Sequence, residues 1–270
     1  MSASATEGVG ENFDRGADVY DEVVAFNLAG ARHLIAALPD GEYRDLLDVG
    51  CGTGFASLAF ADRFGPQRMT GVDASSQMLA VLREKLVHRP DITATLHAAD
   101  VAAMPVPAES FDAVISSMAF HWFPRKQRAV QAMADALKPG GVLAILTSGA
   151  GGEGEFRRIL ARLEPGVPTW VGAFETVQRD IPDMERYFAA AGLEPVDIWA
   201  ERRIRRMTPA AYLERMRVVA GHIAPDGGDD RRQELEREVS EAVAAACDAE
   251  GHFAYTFVKL FALARKPLTR

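Results

Sequence analysis

The stretch Leu46-Leu47-Asp48-Val49-Gly50-Cys51-Gly52-Thr53-Gly54 constrains this chain more than any other. A short apolar run breaks into three alternate glycines, and apolar residues at helical spacing follow through Leu58, Ala59, Phe60 and Phe64. That pattern predicts a buried parallel strand, a tight loop and a helix, the first unit of a doubly wound α/β sheet. Glycine suits such a loop because it accepts positive φ and lets a ligand touch the backbone. The start of the helix adds unpaired N–H groups and a positive dipole end, which favour an anionic group.

The spacing of those glycines separates two ligand classes. A dinucleotide loop of the G-x-G-x-x-G/A type requires a small residue where helix meets strand. Counted from Gly50 that position is Phe55, and counted from Gly52 it is Ser57, so neither register fits. Residues 69–73 read as the second strand, ending in Asp73 about twenty residues beyond the glycines, where such folds place the carboxylate that holds ribose hydroxyls. The simpler role for Asp73 is to cap the helix that opens at Ala74-Ser75-Ser76. Residues 92–98 form a third strand that runs into Asp100-Val101, and residues 111–117 a fourth, followed by Met118-Ala119-Phe120-His121-Trp122-Phe123. Helical spacing resumes at Ala129, Val130, Met133 and Leu137. Lys138-Pro139-Gly140-Gly141 is expected to stop that helix, its glycines serving the C-terminal turn, before a fifth strand at 141–147.

The acid before a G-x-G-x-G loop, Asp73, Asp100, Phe111-Asp112 and Leu137-Lys138-Pro139-Gly140-Gly141 stand in the order and spacing of the class I S-adenosylmethionine-dependent methyltransferases, which the chain resembles over residues 44–147. The resemblance implies a Rossmann-like, mostly parallel seven-stranded sheet with an antiparallel last strand. It implies S-adenosylmethionine as cofactor and S-adenosylhomocysteine as product. Gly50, Cys51, Gly52 and Gly54 would cradle the methionine portion, with Asp48 shaping the loop. Asp73 and Ala74 would lie at the ribose, Asp100, Val101 and Met78 at the adenine, and Ser117 at the end of the fourth strand. The segment 13–21 resembles the entry segment that closes over the cofactor in many small-molecule members, with Tyr20 facing it; an ordinary N-terminal extension packed on the sheet is the plainer reading. Phe120-His121-Trp122-Phe123 resembles members acting on small carboxylic acids, such as the trans-aconitate and malonyl-carrier enzymes.

The remaining expectations concern the acceptor and the outer elements. Residues 1–12 have the composition of a flexible tail, and 13–270 read as one domain. A helix is expected from 19 to 38, and beyond the motif core helices at 155–163 and 182–192, a sixth strand at 194–207, a helix from Thr208-Pro209 to about 221, a loop at 226–230, a helix at 231–249 and a last strand at 252–266. The family's topology keeps the connection between the last two strands on the ligand side of the sheet, so residues 208–250 are expected to form a helical cap over the acceptor pocket. His121 is the candidate base, with orientation or packing as the plainer role; Trp122, Trp170, Arg203 and Arg205 are candidates for holding the acceptor. An arginine-rich strand edge also serves as an ordinary defence against aggregation.

The net charge of −8 argues against a general nucleic-acid grip. No apolar run approaches the roughly 18 residues needed to span a bilayer, and residues 1–10 lack a secretory pattern. The two cysteines make neither a disulfide framework nor a metal site. A cytoplasmic monomer or homodimer with a small-molecule partner, an anionic acceptor included, is therefore expected. The preferred reading is methyl transfer to a carboxylate oxygen. Alternatives are another small-molecule oxygen, carbon or nitrogen, a noncatalytic cofactor-binding subunit, and a nicotinamide-dependent oxidoreductase.

Overall fold

The computed structural model describes residues 10–11, 13–163, 180–220 and 228–268. Seven strands form one sheet in the order β3-β2-β1-β4-β5-β7-β6. They are β1 (Asp45–Val49), β2 (Arg68–Asp73), β3 (Thr93–Ala98), β4 (Phe111–Ser117), β5 (Leu137–Ser148), β6 (Glu194–Met207) and β7 (Phe253–Arg265). The first five run parallel, and β7 is antiparallel to both β5 and β6, as the sequence leads one to expect. The described helices are α1 (Tyr20–Val23), α2 (Phe26–Ala37), α3 (Phe55–Phe64), α4 (Ser76–Val87), α5 (Lys126–Ala136), α6 (Gly154–Leu163), α7 (Ile181–Ala190), α8 (Pro209–Ala220) and α9 (Gly228–Ala245).

Period-two alternation along the strands divides the core between two faces. Leu46, Ala113, Ile115, Ala144 and Leu146 turn to one side, where α2, α3 and α4 cover them with Leu34, Phe60 and Leu82. Their chain neighbours Leu47, Val114, Leu143 and Ile145 turn to the other, against Val130 and Met133 of α5 and Met184 and Phe188 of α7. A third cluster sits past the end of β5. There Phe253, Tyr255 and Phe257 of β7 meet Phe156 of α6, Tyr212 and Met216 of α8, and Leu235 and Val239 of α9. It lies there because β7 pairs with β5 only from Lys259 onward, leaving its first residues to run on with β6 beyond the carboxyl end of the parallel strands. The helices between β6 and β7 are thereby held at the ligand end of the sheet.

Three local expectations are corrected. Lys138-Pro139-Gly140-Gly141 lies within β5, not in a helical C-terminal turn. Leu137 pairs with Phe111, and the next pairing joins Ala113 to Val142, so the four residues bulge out between them. The bulge is tied down by paired backbone bonds with Lys266 and by Lys138 Nζ donating to Asp45 and Asp112. The expected 19–38 helix is broken at Val24-Ala25 into α1 and α2. The last long helix starts at Gly228, earlier than 231, with Asp230 in its first turn, where the helix dipole favours a negative charge. Among the described residues, no helix is long and apolar enough to cross a membrane.

Candidate active site

Two cavities lie at the carboxyl ends of the parallel strands. The first, the loop cavity, is an open cleft of about 960 Å³ against residues 48–53, 72–74 and 99–101 and the segment after β4. The glycine loop shapes it. Gly50 has φ +71, and a Cβ there would stand 2.2 Å from the Ala119 Cβ, so only glycine lets the loop pass the segment after β4. Gly52 (φ +52) has open space where a side chain would project, which lets a ligand come close to the loop. Gly54 (φ +94) does not line the cavity; a Cβ there would meet Leu82 Cδ1 at 2.4 Å, so its role is to seat α3 against α4.

The acids of the cavity have distinct environments. Asp48 is buried and accepts a hydrogen bond from Ser57 Oγ at 2.5 Å, while its other oxygen, Oδ1, has no partner. Burial pushes its carboxyl up to about 7; the Ser57 bond opposes the shift and the nearby Asp73 adds to it. Asp73 accepts from the Gly52 backbone N–H at 2.8 Å and from Ser75 N–H at 2.9 Å. Burial raises its pKa, and those N–H groups hold it down. Helix capping falls to Ser75, whose hydroxyl accepts from Met78 N–H. Asp100 accepts from Ala102 N–H at 2.6 Å, and Val101 is buried beneath it. Ala74, Met78, Cys51 and Ser117 also line the cavity, so of the twelve residues expected there only Gly54 stands outside its lining.

The segment 13–21 closes one side. Phe13 stands edge-on to Tyr20 at 6.0 Å and to Trp122 at 5.6 Å, and Tyr20 lies 6.5 Å from Phe55. Polar contacts fasten it. Thr53 Oγ1 donates to Asp21 at 2.5 Å, Lys85 bridges Asp21 and the Thr53 carbonyl, and Ser75 Oγ donates to Asp14 at 2.6 Å. Burial, with Asp73 and Asp21 adding to it, raises the Tyr20 phenol far above its ordinary pKa, so the hydroxyl stays neutral.

The second, the cap cavity, is an open cleft of about 750 Å³ and shares Phe13, Tyr20, Asn27, Met118 and Trp122 with the first. Its far wall is Phe156 and Arg157 of α6, Arg215, Met216 and Val219 of α8, and Phe257 of β7, so α8 does lie over this pocket. His121 lines it, with Nδ1 3.2 Å from Thr147 Oγ1. Met118, at the shared wall, holds a positive φ of 56 without being glycine, a strained conformation of the kind that gathers at functional sites. Asn27, buried at the same wall, keeps its Oδ1 without a partner.

The strand arginines stand elsewhere. Arg203 is 74% exposed beside Glu201, and Arg205 lies over the Phe26 ring at 4.1 Å; neither lines either of these two cavities. Trp170 lies outside the described residues. Among the described residues, the arginines at the cap cavity are Arg157 and Arg215, and Arg215 is 5% exposed and paired with Glu153 at 2.6 Å. Its position between two apolar stretches of α8 carries no motif, and a single arginine on a helix ordinarily points to solvent. Only the docking of α8 against Glu153 and Tyr255 distinguishes it.

The comparisons with known proteins agree with this geometry. Residues 46–141 match the family model described as "Methyltransferase domain". A malonyl-[acyl-carrier protein] O-methyltransferase of Methylococcus capsulatus is 34% identical over 210 residues, covering 75% of this chain and 71% of that protein. A trans-aconitate 2-methyltransferase of Delftia acidovorans is 32% identical over 182 residues, covering 63% of this chain and 66% of that one. The chain spans about two thirds or less of the first curated relatives it matches, 66%, 43% and 66% of their lengths. Among solved structures, the [4+2]-cyclase SpnF superposes with a TM-score of 0.61 at 19% identity, covering 98% of this chain and 97% of the other. A Haemonchus contortus phosphoethanolamine N-methyltransferase 2, solved with phosphomonomethylethanolamine and S-adenosylhomocysteine, superposes at 0.59 with 21% identity, covering 99% of this chain and 61% of that one. At such identities the structural likeness speaks to the fold alone.

Proposed function

The chain belongs to the class I S-adenosylmethionine-dependent methyltransferases, and on that premise we propose that it transfers a methyl group from S-adenosylmethionine to a carboxylate oxygen of a small molecule. The observation that carries this reading is the shared wall of Phe13, Tyr20, Asn27, Met118 and Trp122, which sets the loop cavity directly against the cap cavity. Two reactants in abutting, mostly apolar clefts meet at a fixed place, the condition group transfer requires.

The residues present fit the cofactor. Gly52 lets a ligand come close to the loop, and Asp48 keeps an unpartnered buried oxygen that suits the ammonium of a methionine tail. Each carboxylate oxygen of Asp73 has one backbone donor and capacity for another, as a ribose diol requires. Asp100, Val101 and Met78 remain for the adenine, and Tyr20 with Phe13 closes the chamber. When bound, the cofactor supplies an electrophilic methyl group on a sulfonium.

What the chain must then do is orient the acceptor and exclude water. A carboxylate arrives already deprotonated, so no base is demanded of His121, which is held by Thr147 beside the acceptor and positions it. The carboxylate preference is supported by Arg215 in the cap cavity and by the acids named in the relatives' activities. Turnover of methyl-labelled S-adenosylmethionine on a panel of small acids, followed by mild alkali, tests it. Label released as volatile methanol is expected, and alkali-stable label would move the acceptor to a hydroxyl, amine or carbon.

A further inference from the structure

Arg215 is a cation buried in a mostly apolar chamber, and its surroundings are unusually complete. Its guanidinium lies 5.0 Å from the ring centroids of both Tyr212 and Tyr255, and one terminal nitrogen donates to Glu153 Oε1 at 2.6 Å. The Tyr212 hydroxyl donates to the other oxygen of Glu153 at 2.7 Å. Glu153 itself is held in place at a positive φ of 57, with its N–H donating to the Thr256 carbonyl. Within this fixed frame the Arg215 Nε is buried without a partner. A buried charged donor without a partner costs free energy, and the side chain that carries it lines the cap cavity.

Resting on the methyl-transfer reading, we propose that the Arg215–Glu153 pair is the grip for the acceptor's carboxylate, and that the acceptor is a molecule with one carboxylate on an apolar body. The Arg215 guanidinium offers the acid one site, and Phe156, Met216, Val219 and Phe257 offer its body an apolar wall. Among the described residues of that wall, a second carboxylate would meet apolar side chains and Arg157, which already makes an interaction of its own.

Glu153 has a positioning role that the chemistry makes specific. As a carboxylate oxygen forms its bond to the methyl carbon, while the methyl–sulfur pair stays on sulfur, the carboxylate loses its negative charge and becomes a neutral ester. A full positive charge beside it would therefore stabilise the bound acid more than the transition state and slow transfer. Glu153 offsets that charge, leaving a hydrogen-bond donor that orients the oxygen without holding it back.

The test separates the grip from the transfer. Protein saturated with S-adenosylhomocysteine is titrated with octanoate and 3-phenylpropionate, their primary amides, and citrate. The monocarboxylates are expected to bind at least tenfold more tightly than the amides and citrate. The double variant Arg215→Met, Glu153→Gln removes both buried charges together, and it should abolish the preference for acid over amide while leaving S-adenosylhomocysteine affinity unchanged. Glu153→Gln alone should lower both KM for the acid and kcat, a split that a merely structural role would not give. No acid binding, preference for citrate, or an acid-to-amide ratio untouched by the double variant would overturn the grip. Selective acid binding with no alkali-labile product would leave the grip standing and refute the carboxylate-methylation reading instead.

Discussion

Replacing Asp73 with alanine is the perturbation whose magnitude follows most directly from the geometry. The side chain sits at the end of β2 with Oδ2 2.8 Å from Gly52 N and Oδ1 2.9 Å from Ser75 N. A carboxylate has about four lone-pair sites, so one remains on each oxygen for the ribose hydroxyls. Hydrogen bonds to a charged group contribute about 1.5–3 kcal/mol net, and 1.4 kcal/mol is a factor of ten. The loss of one net bond thus predicts S-adenosylhomocysteine affinity roughly 10- to 100-fold weaker. The variant also frees the Gly52 N–H, which loosens the loop and pushes the result toward the upper end. Isothermal titration reads the affinity, and a melting curve establishes that the variant is folded. A folded Asp73→Ala protein binding within threefold of the parent would refute the placement of the ribose at this acid.

Other outcomes follow from the same contacts. Burial raises Asp48 to about 7, so the native state holds its proton more tightly than the unfolded chain does. Its contribution to stability is complete below about pH 4 and is lost as pH rises through about 7, on the order of 4 kcal/mol in all. Asp48→Asn should flatten that slope in melts of the ligand-free protein. It should also remove a rise in S-adenosylhomocysteine affinity between pH 6 and 8 that the parent shows as the ionised acid meets the ligand's ammonium. Gly50→Ala puts a Cβ 2.2 Å from that of Ala119 at φ +71, and should cost about 2–5 kcal/mol by denaturant titration. Asp21→Ala cuts the contacts to Thr53 and Lys85, and stopped-flow measurements should show faster S-adenosylhomocysteine release with little change in stability. His121→Gln should lower kcat no more than about tenfold without reshaping its pH profile; loss of an acidic limb near the histidine pKa of about 6.5 would make it a base.

How far the sequence spoke for the site depended on whether the signal was local. That Gly50, Asp73 and Asp100 line one cavity was legible because each sits where a strand ends, and strand ends are fixed by short-range pattern. Gly54 was expected to cradle the ligand and stands outside the cavity lining, because positive φ identifies a glycine position but not whether a ligand or Leu82 excludes the side chain. The Lys138–Gly141 stretch has the composition of a helix stop, and tertiary pairing with Lys266 drew it into β5. The arginines of β6 were conspicuous as a cluster, yet they lie on an edge strand, where exposure is the ordinary fate of charge. Arg215 was invisible because its burial depends on Glu153, Tyr212 and Tyr255, which come from three separate segments.

The most direct measurement is transfer from S-adenosylmethionine carrying a carbon-13 methyl group, with the acceptor taken from the monocarboxylate panel and the product's methyl resonance recorded. A methyl-ester carbon, absent without enzyme and lost on mild alkali, is the predicted result. A methyl carbon attached to nitrogen, carbon or an ether oxygen, or no transfer to any acid that binds, would contradict carboxylate methylation.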